Sequence, residues 1–353
     1  MRKLASIRKI MEVKPIPTAD TICAYRVDNW WVADSVGKYD VGDLVIYCEP
    51  DSWIPHELAP FLSKGQDPRV YDGIRGERLR TVRLRGQVSQ GLILPIGSIE
   101  CVLGLQMYGE IYSNLIEGYD VTDLLGIVKY EPPIPACLAG LVKGAFPSCF
   151  PKTDEERIQN LVSSYAQLQE HTYEVTEKLE GSSMSVGLVP DGLGEDSIVC
   201  SRNLNLKETP DNTLWKVARK YDIERKLLDV PTTGGIIIQG ELIGEGIQDN
   251  HYNIKGHDFY VFAIYDVGLG RYLKPCDRRQ LCQDLGLKHV PVIATDFSFH
   301  DLTIDQLLTK ANGKSQLIDK LREGEVYKRE DGSDKQEHFK CVSNEYLLKY
   351  GSR

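Results

Sequence analysis

The hydrophobic positions in the first third of the chain fall in short runs separated by turn residues. Apolar segments at 22–27, 30–33, 42–48, 79–84 and 91–95 alternate with the Gly, Asp and Pro punctuation of 34–42 and 49–55. Runs of this length and spacing predict the strands of a small closed or partly open barrel. Trp30 and Trp31 alternate faces on one of these strands, so one of them belongs to the core.

The pattern changes further along. Residues 129–152 carry five of the 17 prolines, at 132, 133, 135, 147 and 151, and read as a connection between domains. Thr153 with Glu156 three residues on has the form of a capping box. That predicts a helix whose core stripe is Ile158, Leu161, Tyr165 and Leu168. Strands are expected at 175–178, 184–189, 198–201, 236–242 and 259–267. Helices are expected at 214–228 and near 277–285, 303–311 and 314–322. The mixture is α+β, without regular βαβ alternation. The resulting domains are 1–128, a linker at 129–152, and 153–353.

A length of 353 residues agrees with two domains and has room for a third. Hydrophobic residues at 42% and charged residues at 26% exclude a disordered or fibrous chain. No apolar run approaches the ~18–20 residues that span a bilayer. The basic N-terminus lacks the apolar stretch of a signal peptide. The nine cysteines, at 23, 48, 101, 137, 149, 200, 276, 282 and 341, are odd in number, scattered and without a CxxC pair. They predict reduced thiols and an intracellular, cytoplasm-like compartment, with no zinc site.

The net charge of −9 argues against a nucleic-acid partner if only the sum is considered. The distribution argues otherwise. Between 64 and 86, Lys64, Arg69, Arg75, Arg78, Arg80, Arg83 and Arg85 face only Asp67, Asp72 and Glu77, a local surplus of four. Arg80, Arg83 and Arg85 surround a strand in the barrel-like region, a setting suited to nucleic-acid phosphates.

The segment with the most chemistry is Glu177-Lys178-Leu179-Glu180-Gly181, directly after the strand around Val175. A lysine at a strand end can act as a nucleophile once burial or nearby cations favour its neutral form. Glu180 could hold a metal, and Gly181 would let backbone approach a phosphate. Further pieces follow in order: Ser201-Arg202-Asn203, Gly240-Glu241-Leu242-Ile243-Gly244, Phe262 within the strand at 259–267, Glu323-Gly324-Glu325-Val326-Tyr327-Lys328, and Phe339-Lys340.

This ordered set resembles the covalent nucleotidyltransferase superfamily of polynucleotide ligases and RNA capping enzymes. Lys178-Leu179-Glu180-Gly181 looks like its motif I, Arg202 like Ia, Glu241 like III, Phe262 like IIIa, Glu323 like IV and Lys340 like V. The upstream Phe150-Pro151-Lys152-Thr153-Asp154-Glu155-Glu156-Arg157 is similar to RNA ligases. A barrel that precedes motif I, with only 13 residues after Lys340, resembles ATP-dependent RNA ligases with an N-terminal OB domain, the Deinococcus-type nick-sealing group.

The resemblance implies an OB-like RNA-binding domain followed by an adenylyltransferase (ATP-grasp-like ligase catalytic) domain of antiparallel sheets and helices. It implies that ATP leaves AMP on Lys178 and that Mg²⁺ or Mn²⁺ assists, held by Glu180, Glu241 and Glu323. The partner is RNA with 5′-phosphate and 3′-hydroxyl ends, a nicked duplex in the first instance, with no membrane and the protein a monomer. Lys178, Glu180 and Lys340 would be catalytic. Arg202, Glu241, Phe262, Glu323, Lys328 and Lys340 would contact the nucleotide: Phe262 by stacking on adenine, Lys340 and Lys328 through phosphate, Arg202 through ribose or the RNA 3′ end. Glu245 and Glu325 are secondary, Arg157 is either an RNA contact or a partner of Asp154, and the Glu177 carboxylate is unassigned.

Two positions depart from the pattern: Glu180 stands where Asp is usual, and Val342 where a second lysine is found in several relatives. Two alternatives share the superfamily. A capping-type guanylyltransferase is disfavoured by the missing C-terminal OB module, and a non-enzymatic RNA-binding protein with a decayed transferase fold by the intact Lys178, Glu241, Glu323 and Lys340.

Overall fold

The strand Leu44–Cys48 is apolar at successive positions because both of its faces are covered. Val45 and Tyr47 enter one core with Ile10, Tyr25, Trp30 and Ile93, while Ile46 and Cys48 enter another with Leu4, Ile7, Leu92 and Leu94. It lies in an antiparallel sheet ordered Leu92–Pro95, Leu44–Cys48, Ala5–Pro15, Ile22–Val27, Trp30–Ser35. The sheet curls until its ends meet. The Gln90 amide donates to the Trp31 carbonyl (2.8 Å) and the Ala33 amide to Ser89 Oγ (3.0 Å). The expected small barrel therefore forms. Trp30 is buried and stacked on Tyr47, whereas Trp31 lies beneath the Lys14 ammonium, 3.7 Å from the ring centre.

The computed structural model describes residues 3–17, 19–103, 115–130, 141–190, 195–232, 234–332 and 338–350. The chain divides into two units, Met1–Pro133 with Leu347–Arg353, and Ile134–Tyr346. The prolines at 132, 133 and 135 lie outside the described residues, as do the side chains of Cys101 and Cys137. Among the described residues no helix is long and apolar enough to cross a membrane.

The first unit also holds a four-stranded sheet ordered Val128–Lys129, Ser52–Pro55, Ile74–Arg78, Arg69–Tyr71. Its longest strand, Ala5–Pro15, has no signal in the pattern. A register shift between Ile10 and Glu12 breaks the alternation, and Met11, Glu12 and Val13 face solvent. The segment expected at 79–84 is strand only over Val82–Leu84. It forms a hairpin with Gln87–Ser89 around Arg85 and Gly86, both at positive φ, a two-residue turn.

The second unit is built on two sheets. One is ordered Val142–Ala145, Leu204–Leu206, Glu195–Cys200, Ser182–Pro190, Ile236–Gly244, His257–Asp266, Arg271–Tyr272. The other is ordered Glu156–Arg157, Phe339–Val342, Gly324–Arg329, Tyr173–Lys178, Val292–Phe297. Helices Thr213–Lys220, Ile223–Leu228, Pro275–Asp284 and Ile304–Ala311 accompany them.

Three local expectations are corrected. No helix starts at Thr153. Glu156–Arg157 is extended because it pairs in parallel with Phe339–Lys340, and Glu156 Oε1 accepts from the Arg157 amide and Asn160 Nδ2 instead of closing a capping box. Ile158 and Leu168 still reach the core, carried by short turns of helix. The helix expected at 214–228 is split at Asp222, whose φ is +51°. Residues 314–322 form turns closed by a bridge between Lys314 and Leu321, where Leu317 and Ile318 pack against an apolar cluster by position, without helical period.

Candidate active site

Lys178 ends the strand Tyr173–Lys178. Alternation sends Tyr173 and Val175 into the core and Glu174, Thr176 and Lys178 to the other face. Glu174 is fully buried and ion-paired with Arg278 and Arg279, which anchors that face. Lys178 pairs in register with Gly324, so Glu323 arrives beside it, and Lys178 Nζ donates to Glu323 Oε1 at 2.5 Å. Gly181 lets the chain leave the strand: a Cβ there would fall on the Leu242 carbonyl and the Glu241 side chain. The close approach that needs glycine is thus to the strand Ile236–Gly244, which carries Glu241.

The electrostatics are those of an acidic site around one amine. Burial works against the Lys178 ammonium, but Glu323, Glu241 and Glu155 outweigh it and hold its pKa above the ordinary lysine value. These carboxylates therefore favour the ammonium over the neutral amine expected from sequence. Burial pushes the Glu241 carboxyl up to about 8. Glu323 and Glu155 add to the rise, while Lys178 and Arg202 offset part of it. Three carboxylates gathered near one amine offer the oxygen donors that a hard divalent ion binds. Among the described residues no three His, Cys, Asp or Glu side chains converge as a ready-made cage.

Lys340 and Arg202 meet on Asp154: Lys340 Nζ donates to Oδ1 at 3.0 Å and Arg202 Nη2 to Oδ2 at 3.3 Å. Burial, Lys178 and Arg157 bring the Lys340 pKa below its ordinary value, against the pull of Asp154 and Glu155. Lys328 is buried, donates to the Phe262 carbonyl (2.8 Å), lies over the Phe262 ring (5.3 Å) and reaches Glu155 at 3.8 Å. Phe262 is half-buried beside Leu179, Tyr260, Leu317 and Ile318. This apolar floor next to phosphate-type cations can accept a flat base.

Glu180 is held by a second set of partners that also feel Glu323. Tyr346 Oη donates to Glu180 Oε2, His251 Nδ1 lies 3.4 Å from the same oxygen, and the Glu180 amide donates to Tyr252 Oη at 2.9 Å. The Glu325 carboxylate is fully buried among Lys310, Arg322 and Tyr327 Oη, a structural cluster. Glu245 is exposed. Glu177 is buried, and its Oε2 accepts from the Gln316 amide at 2.8 Å, tying down the segment before Glu323. Arg157 is buried and stands in register with Lys340.

Lys178, Glu241, Glu323, Lys340, Arg202, Lys328 and Phe262 thus belong to one connected site within the second unit. Arg80, Arg83 and Arg85 lie in the first unit, at and before the Val82–Ser89 hairpin, which is exposed over 82–86. Sequence reasoning gave no site role to Asp154 and Glu155, although it quoted their segment, and none to His251, Tyr252 and Tyr346. The first two were within reach as the acidic pair just ahead of Arg157. The others gave no signal, because their role depends on contacts distant in sequence.

Comparison with known proteins agrees with this geometry. A family model described as RNA ligase matches residues 171–349, and one described as an OB-fold domain matches residues 4–96. No curated protein matches. Among solved structures, Naegleria gruberi RNA ligase with pyrophosphate is 40% identical with a TM-score of 0.86, each chain covered to 100%. A lysine-to-alanine mutant of that ligase, solved with ATP and Mn, has a TM-score of 0.85 at 40% identity, covering 99% of this chain and 100% of the other. A lysine-to-methionine mutant with AMP and Mn reaches 0.87 at 40% identity, with 100% of both chains covered. A strand-end lysine among carboxylates, a base-sized apolar floor, and likeness along the whole chain lead to one conclusion: this protein belongs to the RNA ligase family.

Proposed function

We propose that this chain is an ATP-dependent RNA ligase that joins 3′-hydroxyl and 5′-phosphate ends at nicks in duplex RNA. The observation that carries the reading is Lys178, fixed at a strand end against Glu323, with the phosphate-type cations Lys340, Arg202 and Lys328 around it. In the first step Lys178 Nζ attacks the α-phosphorus of ATP. An N–P bond forms, the bond to pyrophosphate breaks, and the amine loses a proton. In the second, an oxygen of the RNA 5′-phosphate attacks the same phosphorus and frees the lysine. In the third, the 3′-hydroxyl attacks the 5′-phosphorus, a phosphodiester forms and AMP leaves. Each step displaces a group at phosphorus, so in-line positioning and charge neutralisation are what the residues supply.

Lys340 and Lys328 hold phosphate, Arg202 the ribose or the RNA 3′ end, and Phe262 stacks on adenine. The carboxylates gathered beside Lys178, with Glu241 pushed up to about 8, suit Mg²⁺ or Mn²⁺ held by Glu180, Glu241 and Glu323. That ion supplies Lewis-acid neutralisation of phosphate charge. Glu180 supports the site through Tyr346 and His251.

In this reading 1–128 is the RNA-binding domain, with Arg80, Arg83 and Arg85 on the phosphates, and 129–152 connects it to the catalytic domain at 153–353 while lending the strand Val142–Ala145 to that domain's sheet; the last residues, Leu347–Arg353, group with the first unit. The protein, in this reading, acts as a monomer in a reducing, cytoplasm-like compartment.

The test is incubation with Mg²⁺ or Mn²⁺ and α-labelled ATP or GTP, followed by sealing of a nicked duplex and of single strands. Acid-labile label from ATP that is lost in Lys178→Ala, with faster sealing of the nick, supports the reading. Label from GTP alone would indicate capping, and none from either a binding protein.

A further inference from the structure

Two cations of the site, Lys340 on phosphate and Arg202 on ribose or the RNA 3′ end, share one internal anion. The segment that delivers it is fixed along its length. Gln239 Nε2 donates to the Pro151 carbonyl (3.0 Å), Lys152 Nζ donates to Asn203 Oδ1 (2.9 Å), and Glu156–Arg157 pairs with Phe339–Lys340. The backbone on either side of Asp154 is therefore held. The Asp154 side chain is about one-third exposed, whereas Lys340 is mostly covered at 13%. Its oxygens are divided, Oδ1 to Lys340 and Oδ2 to Arg202. The next residue repeats the pattern, since Glu155 faces Lys328 at 3.8 Å. One acidic dipeptide thus supplies carboxylate to three phosphate-type cations.

A phosphoryl group offers the same donors a pair of anionic oxygens, and charged N–H donors bind carboxylate and phosphate alike. Asp154 and an incoming phosphate cannot both take the same N–H groups of Lys340 and Arg202. We propose that Asp154 is an internal counter-anion that competes with substrate phosphate for Lys340 and Arg202, and so sets how weakly the site holds pyrophosphate between turnovers. The inference rests on the phosphate role of Lys340 in the reading above and adds one for Arg202, which shares its anion.

A competitor and a simple scaffold make opposite predictions. If Asp154 only orients Lys340, neutralising it loosens the cation and weakens anion binding. If it competes, neutralising it frees two donors and removes a like charge, and anion binding tightens.

The experiment measures binding of inorganic pyrophosphate by calorimetry at fixed Mg²⁺. It uses the full chain and its Asp154→Asn, Asp154→Glu, Lys340→Ala and Arg202→Ala variants. Asp154→Asn is expected to bind pyrophosphate about tenfold more tightly, the scale of one charge contact. Asp154→Glu, which keeps the charge, should stay near the parent, and Lys340→Ala and Arg202→Ala should bind more weakly. Unchanged or weaker binding by Asp154→Asn, with Lys340→Ala and Arg202→Ala weakened, would overturn the competition and leave the phosphate roles standing. Unchanged binding in Lys340→Ala and Arg202→Ala would overturn those roles and the inference together. Circular dichroism of Asp154→Asn guards against misfolding, and Asp154→Ser provides a second neutral side chain with the same expected tightening.

Discussion

Lys178 and Glu323 are 145 residues apart in the chain, and in the folded protein Lys178 Nζ donates to Glu323 Oε1 at 2.5 Å. The pairing of Lys178 with Gly324 in adjacent strands produces this contact. The amine is thereby fixed in direction and held charged by its surroundings. In the proposed reading, such a site would keep its nucleophile protonated as long as these carboxylates face it.

Glu180 and Tyr346 are expected to act as one unit. Glu180→Asp is one methylene too short for the Tyr346 hydroxyl, and Tyr346→Phe removes the same bond from the other side. Rates of lysine labelling by ATP should fall in both single variants. The double variant should be little worse than either, a coupling of about 1 kcal/mol. Strictly additive losses would refute the coupling.

Glu325 lies within a motif yet is expected to govern stability. Glu325→Ala leaves Lys310 and Arg322 without their buried partner and should cost about 3–5 kcal/mol. Thermal or urea unfolding measures this. A variant as stable as the parent but unable to label Lys178 would reverse the assignment.

Stability should also depend on His338. Burial, with Lys328 nearby, lowers its pKa to about 3 from the ordinary 6.5. Between those values the unfolded chain binds the extra proton, so stability declines as pH falls below 6.5. The slope approaches about 1.4 kcal/mol per pH unit for this group. His289, lowered to about 4 by burial and by Arg278, acts in the same direction. Urea unfolding from pH 7 to 4.5 should show a shallower decline for His338→Gln than for the parent, and parallel curves would contradict the burial argument.

Arg80, Arg83 and Arg85 are expected to serve RNA and leave nucleotide chemistry alone. Replacing all three with alanine should slow sealing of nicked RNA more than labelling of Lys178. The salt dependence of RNA binding should become less steep by about one unit for each phosphate that is no longer neutralised. Equal losses in sealing and labelling would argue against an RNA role for the hairpin.

Much of this protein was legible in its residues. Short apolar runs are local, and they predicted strands at 22–27, 42–48, 175–178 and 236–242, which fold as Ile22–Val27, Leu44–Cys48, Tyr173–Lys178 and Ile236–Gly244, and the α+β class. The ordered motifs pointed to the RNA ligase family because glycines, acids and lysines at strand ends are also local. A local pattern misled where pairing overrode it. The apparent capping box at Thr153 lost to a parallel strand pair, and Ala5–Pro15 was hidden by its register shift.

The sequence by itself determined which residue types were available to carry the chemistry, and in what order. Tertiary structure alone decided which charges meet. Asp154 became the shared anion of Lys340 and Arg202, Glu180 turned to Tyr346 and His251, and Glu325 was sealed among Lys310, Arg322 and Tyr327. The physical reason is range. Backbone preference acts over a few residues, but a carboxylate's role depends on the cation within about 4 Å, which strand register brings from anywhere in the chain.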